Sequence, residues 1–72
     1  NFYQANLKTA NMHRADLEHA NFSEANLSQA NLSGAKLYNA NFSNAILTDT
    51  DLSGTDQTDT NFSNAKNLKK QG

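Results

Sequence analysis

The chain has 72 residues and a formal net charge of −1, and Leu, Ile, Val and Phe fill only thirteen positions, about 18%. One small domain with a thin core is the most such a chain can form. The absence of cysteine excludes disulfides, thiolate metal sites and a cysteine nucleophile; no apolar run reaches the ~18 residues of a membrane helix; and the near-zero charge excludes a strongly basic nucleic-acid binder.

So low an apolar content usually marks disorder, whereas so small a net charge argues against it. The arrangement of residues decides. Alanine falls at 5, 10, 15, 20, 25, 30, 35, 40, 45 and 65, and Thr50, Thr55 and Thr60 fill the vacant places of that series. Two residues after each comes a large apolar residue in most units. The first twenty residues supply Phe2, Leu7, Met12 and Leu17. The next twenty supply Phe22, Leu27, Leu32 and Leu37, and the third twenty supply Phe42, Leu47, Leu52 and the polar Gln57. Phe62 follows, then Asn67. The residue between the two series is Asn or Asp except at Lys36, Ile46 and Lys66, and all six serines directly follow a large residue. The unit is Ala-Asn-Leu-Ser-X.

A period of five suits neither regular element. Five residues advance an α-helix by about 500°, so the apolar stripe would wind around it. In a straight strand an odd period sends successive leucines to opposite faces. Ala and Leu, two apart, can share one side of a short extended segment, and a turn must then follow. The spacing therefore predicts a coil of short segments and corners, with Ala near the corners where larger side chains would crowd the interior. Phe2, Phe22, Phe42 and Phe62 lie twenty apart, each preceded by Asn. Twenty residues are four units, so four sides make one turn, and like stacks on like at about 4.8 Å. The inward set is Phe2, Leu7, Met12, Leu17, Phe22, Leu27, Leu32, Leu37, Phe42, Leu47, Leu52 and Phe62. The length corresponds to about 3.6 coils of 20 residues and a stub roughly 17 Å long.

The units Ala5-Asn6-Leu7, Ala15-Asp16-Leu17, Ala25-Asn26-Leu27-Ser28 and Ala30-Asn31-Leu32-Ser33-Gly34 follow the pattern A(D/N)LXX. In this the chain resembles the pentapeptide-repeat family, over residues 1 to about 66. The resemblance implies an all-β right-handed quadrilateral β-helix over 1–66, and it supplies the handedness. Ala65-Lys66-Asn67-Leu68 resembles the place where such helices hand over to a capping segment. Residues 67–72 then form a short C-terminal tail or cap remnant.

Outward positions are where function would lie. Asp49, Asp51, Asp56 and Asp59 cluster late without an intervening base, but as corner residues of one coil they fan apart, so no calcium site is expected. His13 and His19 fall on adjacent sides, short of the three or four convergent ligands of zinc. Lys8, His13, Arg14 and His19 give the first coil a mildly basic surface too small for nucleic acid. The serines occupy one repeat position, which the repeat explains without a nucleophile. The row Tyr3-Ser23-Ser43-Ser63 is a single one broken by Tyr, which argues against an ice-binding face.

No catalytic, cofactor or metal residues are assigned. The expected function is a non-catalytic scaffold for protein–protein interaction. The resemblance adds an alternative, a DNA-mimicking protector of bacterial topoisomerases; such protectors are long, strongly acidic, dimeric rods. A spacer domain of a larger protein is a third reading, because the chain starts inside a repeat at Asn1 without Met. A cytoplasmic location is expected, with export after leader removal the other case. Neither a nucleic-acid nor a membrane partner is expected. The ends differ: the first tier, Phe2, Leu7, Met12 and Leu17, is wholly apolar, whereas the last carries Gln57 and Asn67 beside the three threonines. The first tier is therefore the expected end-on interface, covered by upstream sequence or by a second copy with the two first coils in contact.

Overall fold

The structure, a computed structural model, describes residues 1–68. Of the tail expected at 67–72, residues 69–72 lie outside the described residues. Thirteen units follow one another, each with a small residue, a bridging residue, a central residue and two turn residues. The central carbonyl accepts a hydrogen bond from the next small residue's N–H, as from Ala25 to Phe22 at 3.0 Å, and this closes a four-residue turn. The second turn residue has a positive φ in all thirteen units, between 56° at Asp49 and 71° at Gly34. A left-handed residue at that place alone is the mark of a type II turn. Asn, Asp and Gly tolerate it, and they fill seven of the places, from Gly34 to Asn64. Gln4, Thr9, Arg14, His19, Glu24 and Gln29 adopt it in the first six units despite their side chains.

The turns bring each coil back over the one before. Nine parallel bridges join residues twenty apart, from Asn6–Asn26 to Ile46–Lys66, in four columns around the coil. These are single-residue bridges rather than strands. Two turn residues in every five leave room for one ladder residue per side, so the all-β reading takes this form. In the eight units from the one centred on Leu7 to the one centred on Phe42, three backbone bonds link the unit to the next coil. Leu27 N–H donates to Ile46, Gln29 N–H donates to Thr48, and Ile46 N–H donates back to Ala25, at 2.8, 2.8 and 2.9 Å.

In a unit with a coil on each side, such as the one centred on Leu27, four of the five N–H groups are then bonded. The fifth, on the first turn residue, donates to the side-chain Oδ1 of the bridging residue two before it. Eleven units do this, among them Ser33 to Asn31 at 2.9 Å and Ser53 to Asp51 at 3.0 Å. Buried backbone donors must find partners, and this need explains the recurrent Asn or Asp. It also explains the serine. The hydroxyls of Ser23, Ser28, Ser33, Ser53 and Thr58 donate to the same Oδ1 at 2.6–2.7 Å. Lys36 and Ile46 offer no such acceptor to Tyr38 and Thr48.

Inside the coil, the four phenylalanine rings form one column. Their centroids are 4.8, 4.7 and 5.3 Å apart, and the planes are tilted by 8°, 5° and 15°. Complete burial is confined to the middle tiers, from Phe22 through Leu52. Phe2, Leu7, Met12, Leu17 and Phe62, read from sequence as core, pack against it but are only half-buried. They lie on end tiers, with a coil on one side only. Thr50 is buried where Ala stands elsewhere, and its hydroxyl donates to the Leu27 carbonyl of the coil below at 2.7 Å. Thr60 does the same to Leu37, and Thr55 donates to Leu52. Gln57 stays half-buried and donates from Nε2 to Thr55 Oγ1. Asn67 departs from the series. It has φ 60° and is exposed, and its Nδ2 donates sideways to Thr48 Oγ1. A residue in that conformation turns the chain instead of continuing the coil, so the last inward residue is Phe62.

Two outcomes test this packing. Phe42→Ala should cost roughly 3–5 kcal/mol, whereas Ser43→Ala, half-buried on the turn, should cost under about 0.5 kcal/mol. Chemical denaturation that ranked them in the reverse order would invalidate the inward assignment. Thr9 is a β-branched residue at φ 63°, where such residues are outliers. Thr9→Asn should stabilise by about 1 kcal/mol, read as a raised denaturant midpoint; a lowered midpoint would show that the turn is not strained there.

Candidate functional site

The described residues enclose no cavity, and none of their His, Asp or Glu side chains gather in threes to hold a metal. None of their helices is long and apolar enough to cross a membrane. Any site therefore lies on an outer face or an end.

On one outer face, His13 Nδ1 lies 2.7 Å from Ser33 Oγ. The pair resembles a base beside a nucleophile, but the bonding assigns other roles. Ser33 Oγ donates its proton to Asn31 Oδ1 at 2.6 Å, and that oxygen is fixed as the acceptor because it also takes the Ser33 N–H. His13 must then be the donor to Ser33, so its Nδ1 carries hydrogen and is no base for the hydroxyl. Gly34 makes the turn beside this pair. A Cβ there would come within 3.2 Å of Arg14 Cγ, so the aliphatic stem of Arg14 lies across the glycine. His19, on the next side at a turn, does not join them.

The four late acids divide by position. Asp49 and Asp59 are left-handed turn residues, as their type favours. Asp51 and Asp56, expected at corners, are instead bridging residues opposite Asn31 and Lys36. The reason is the fifth N–H: a carboxylate at the bridging place accepts from the residue two ahead. Hydrogen bonds from the Ser53 hydroxyl, then its N–H, hold the Asp51 carboxyl below its usual value of 3.8. Thr58 does the same to Asp56 through hydroxyl and N–H. Beside them, the Glu18 carboxylate accepts from the Tyr38 hydroxyl and raises its pKa above 10.0. In the serine row, Ser23 Oγ donates to Asn21 Oδ1, and Tyr3 at its foot donates to Glu24.

The first tier is different in kind. Phe2, Leu7, Met12 and Leu17 present half-buried apolar side chains. Around them the bridging residues Asn6, Asn11 and Asp16 have bridges on one side only, toward Asn26, Asn31 and Lys36. Among the described residues, the N–H and C=O groups of these three have no backbone partner. The first tier thus combines an apolar ring with a surrounding backbone edge, a combination absent from the described side faces. Apolarity alone points to that tier in the sequence; the open backbone edge needs the coil geometry.

Thirteen units in one register, each repeating the same turn, with the same three links to the next coil in eight of them, define a tandem-repeat protein. The chain belongs to the pentapeptide-repeat family: a family model for pentapeptide repeats matches in eight copies, over residues 1–39 and 25–64. No curated protein and no solved structure matches it.

The acid dependence of stability follows from Asp51 and Asp56. A carboxyl whose folded pKa lies below its unfolded one stabilises fully above the unfolded value, and the stabilisation is lost as pH falls through the folded value. Denaturant midpoints should stay level down to about pH 5 and drop below about pH 4. Asp51→Asn with Asp56→Asn keeps the acceptor oxygen and should flatten that drop. An unchanged pH profile in the double variant would show that these carboxylates contribute nothing to it.

Proposed function

We propose that this chain is a non-catalytic interaction scaffold, a right-handed quadrilateral β-helix whose first-coil end binds protein. Four bridge columns with corners at every fifth residue support the four-sided form, and membership of the pentapeptide-repeat family supports its hand. The observation that carries the function is the first tier, where Phe2, Leu7, Met12 and Leu17 lie half-open within an unpaired backbone edge. The side faces are polar, and their hydroxyls and amides are largely turned to their own neighbours. The second turn residues are exposed in every unit, which leaves the surface free to vary without disturbing the interior. At 23 × 21 × 21 Å the molecule is nearly as wide as it is tall, so an end face is as extensive as a side.

A DNA-mimicking role needs a strong negative field, and a net charge of −1 does not supply one. The protein should leave supercoiling by a bacterial type II topoisomerase unchanged. The end-binding reading is tested by sedimentation over a wide concentration range. The wild type should associate, and Leu7→Lys should weaken that association at least tenfold while circular dichroism stays unchanged. A stable wild type that remained strictly monomeric would sink the reading.

A further inference from the structure

We infer that the corner formed by His13, Arg14 and Gly34 binds a phosphate group. The site lies on a side of the coil, across the first and second tiers, and does not depend on the end-binding reading above. At this corner the left-handed turn places stack as Arg14, Gly34 and Gly54. Arginine is an unfavourable residue there, because a φ of 61° suits Asn, Asp and Gly. Backbone strain of this kind is typically kept where the side chain has work to do. The two places next to it are bare. A Cβ on Gly34 would stand 3.2 Å from Arg14 Cγ and 3.9 Å from His13 Cε1, the carbon between the two ring nitrogens. Both first-tier side chains therefore lie against the second tier, and they meet on a turn that has no side chain of its own. A Cβ on Gly54 would touch only Gly34 backbone, at 3.8 and 3.9 Å, so the corner stays open for a further tier.

The polar ends of the two side chains are unspent. His13 is fixed through Nδ1, which donates to Ser33 Oγ at 2.7 Å and leaves Nε2 for an outside partner. Among the described residues no carboxylate forms an ion pair with Arg14, so its fork of N–H donors is open. The Asp51 carboxylate, on the same side two coils along, acts on His13 only through space. Its Oδ1 takes the Ser53 N–H and hydroxyl, at 3.0 and 2.7 Å.

The two groups together select the ligand. A guanidinium fork holds two oxygens of a phosphate or a carboxylate in parallel. The imidazole Nε2 accepts from an O–H while the ring is neutral and donates while it is protonated. A carboxylate without a proton offers neutral His13 nothing to accept. A hydrogen phosphate, free or as a monoester, serves both groups at once, two oxygens to Arg14 and its O–H to His13. The surface is too small for a nucleic acid and holds one such group.

Titration with inorganic phosphate and with O-phosphoserine at fixed ionic strength, followed by the NMR signals of the His13 ring and the Arg14 Nε–H, tests the site. Saturable shifts of both signals are expected, with a Kd below about 10 mM. Tighter binding of O-phosphoserine assigns the site to esters, and tighter binding of inorganic phosphate assigns it to the free ion. Arg14→Gln keeps the turn, because Gln4 and Gln29 already hold that place, and should weaken binding at least tenfold. Gly34→Asn, a residue the place takes at Asn39, Asn44 and Asn64, should do the same by displacing the Arg14 stem. Equal shifts with acetate or with sodium chloride at the same ionic strength would overturn the proposal, and so would unchanged binding in either variant.

Discussion

The whole molecule depends on one left-handed residue in every five. With φ near +60° at the second turn position, the chain bends sharply enough that three residues of extended backbone are followed at once by a corner. Because every corner is alike, four of them return the chain to its start one tier higher, and residues twenty apart meet. The strain is accepted thirteen times, by polar or glycine side chains that all face solvent. In exchange every N–H in the units centred on Leu27, Leu32 and Phe42 finds a partner: one closes the turn, three link coils, and one is taken by the side chain of Asn.

That accounting explains a composition that looks unfit for folding. A chain with few large apolar residues normally cannot offset the conformational entropy of ordering. Here twelve large apolar residues, from Phe2 to Phe62, are placed inward and stacked on their counterparts. Tyr3 and Leu68 are the exposed large exceptions. The threonines that replace alanine late in the chain remain compatible with the interior, because Thr50 and Thr60 donate into carbonyls of the coil beneath.

Much of this architecture was legible in the sequence, because a period of five and phenylalanines twenty apart leave few solutions. The Phe2–Phe22–Phe42–Phe62 column and the bridge register share the spacing of twenty. Other features were hidden because they depend on where a side chain points after the turn forms. Nothing in the pattern says that Asn31 faces back to the Ser33 N–H, or that Asp51 sits on a bridge and Asp49 on a corner. Asn67 keeps the spacing of the inward series but adopts the turn conformation, since an amide gains little inside and Asn tolerates positive φ. The first tier was legible as apolar, but its open donors and acceptors follow from the ladder alone.

The unequal division of donors and acceptors also has an electrical side. Two of every three links between coils point their N–H toward the C-terminal end, and one points the other way. The peptide dipoles of the links therefore do not cancel. Each coil is left with a small net moment, its positive pole toward the last coil, and the coils add in series. Four aspartates, Asp49, Asp51, Asp56 and Asp59, are gathered at that positive pole. Negative side chains at the positive end of aligned peptide dipoles are favourably placed, as at the N-terminus of an α-helix. The late acidic cluster thus has a place in the field of the backbone itself.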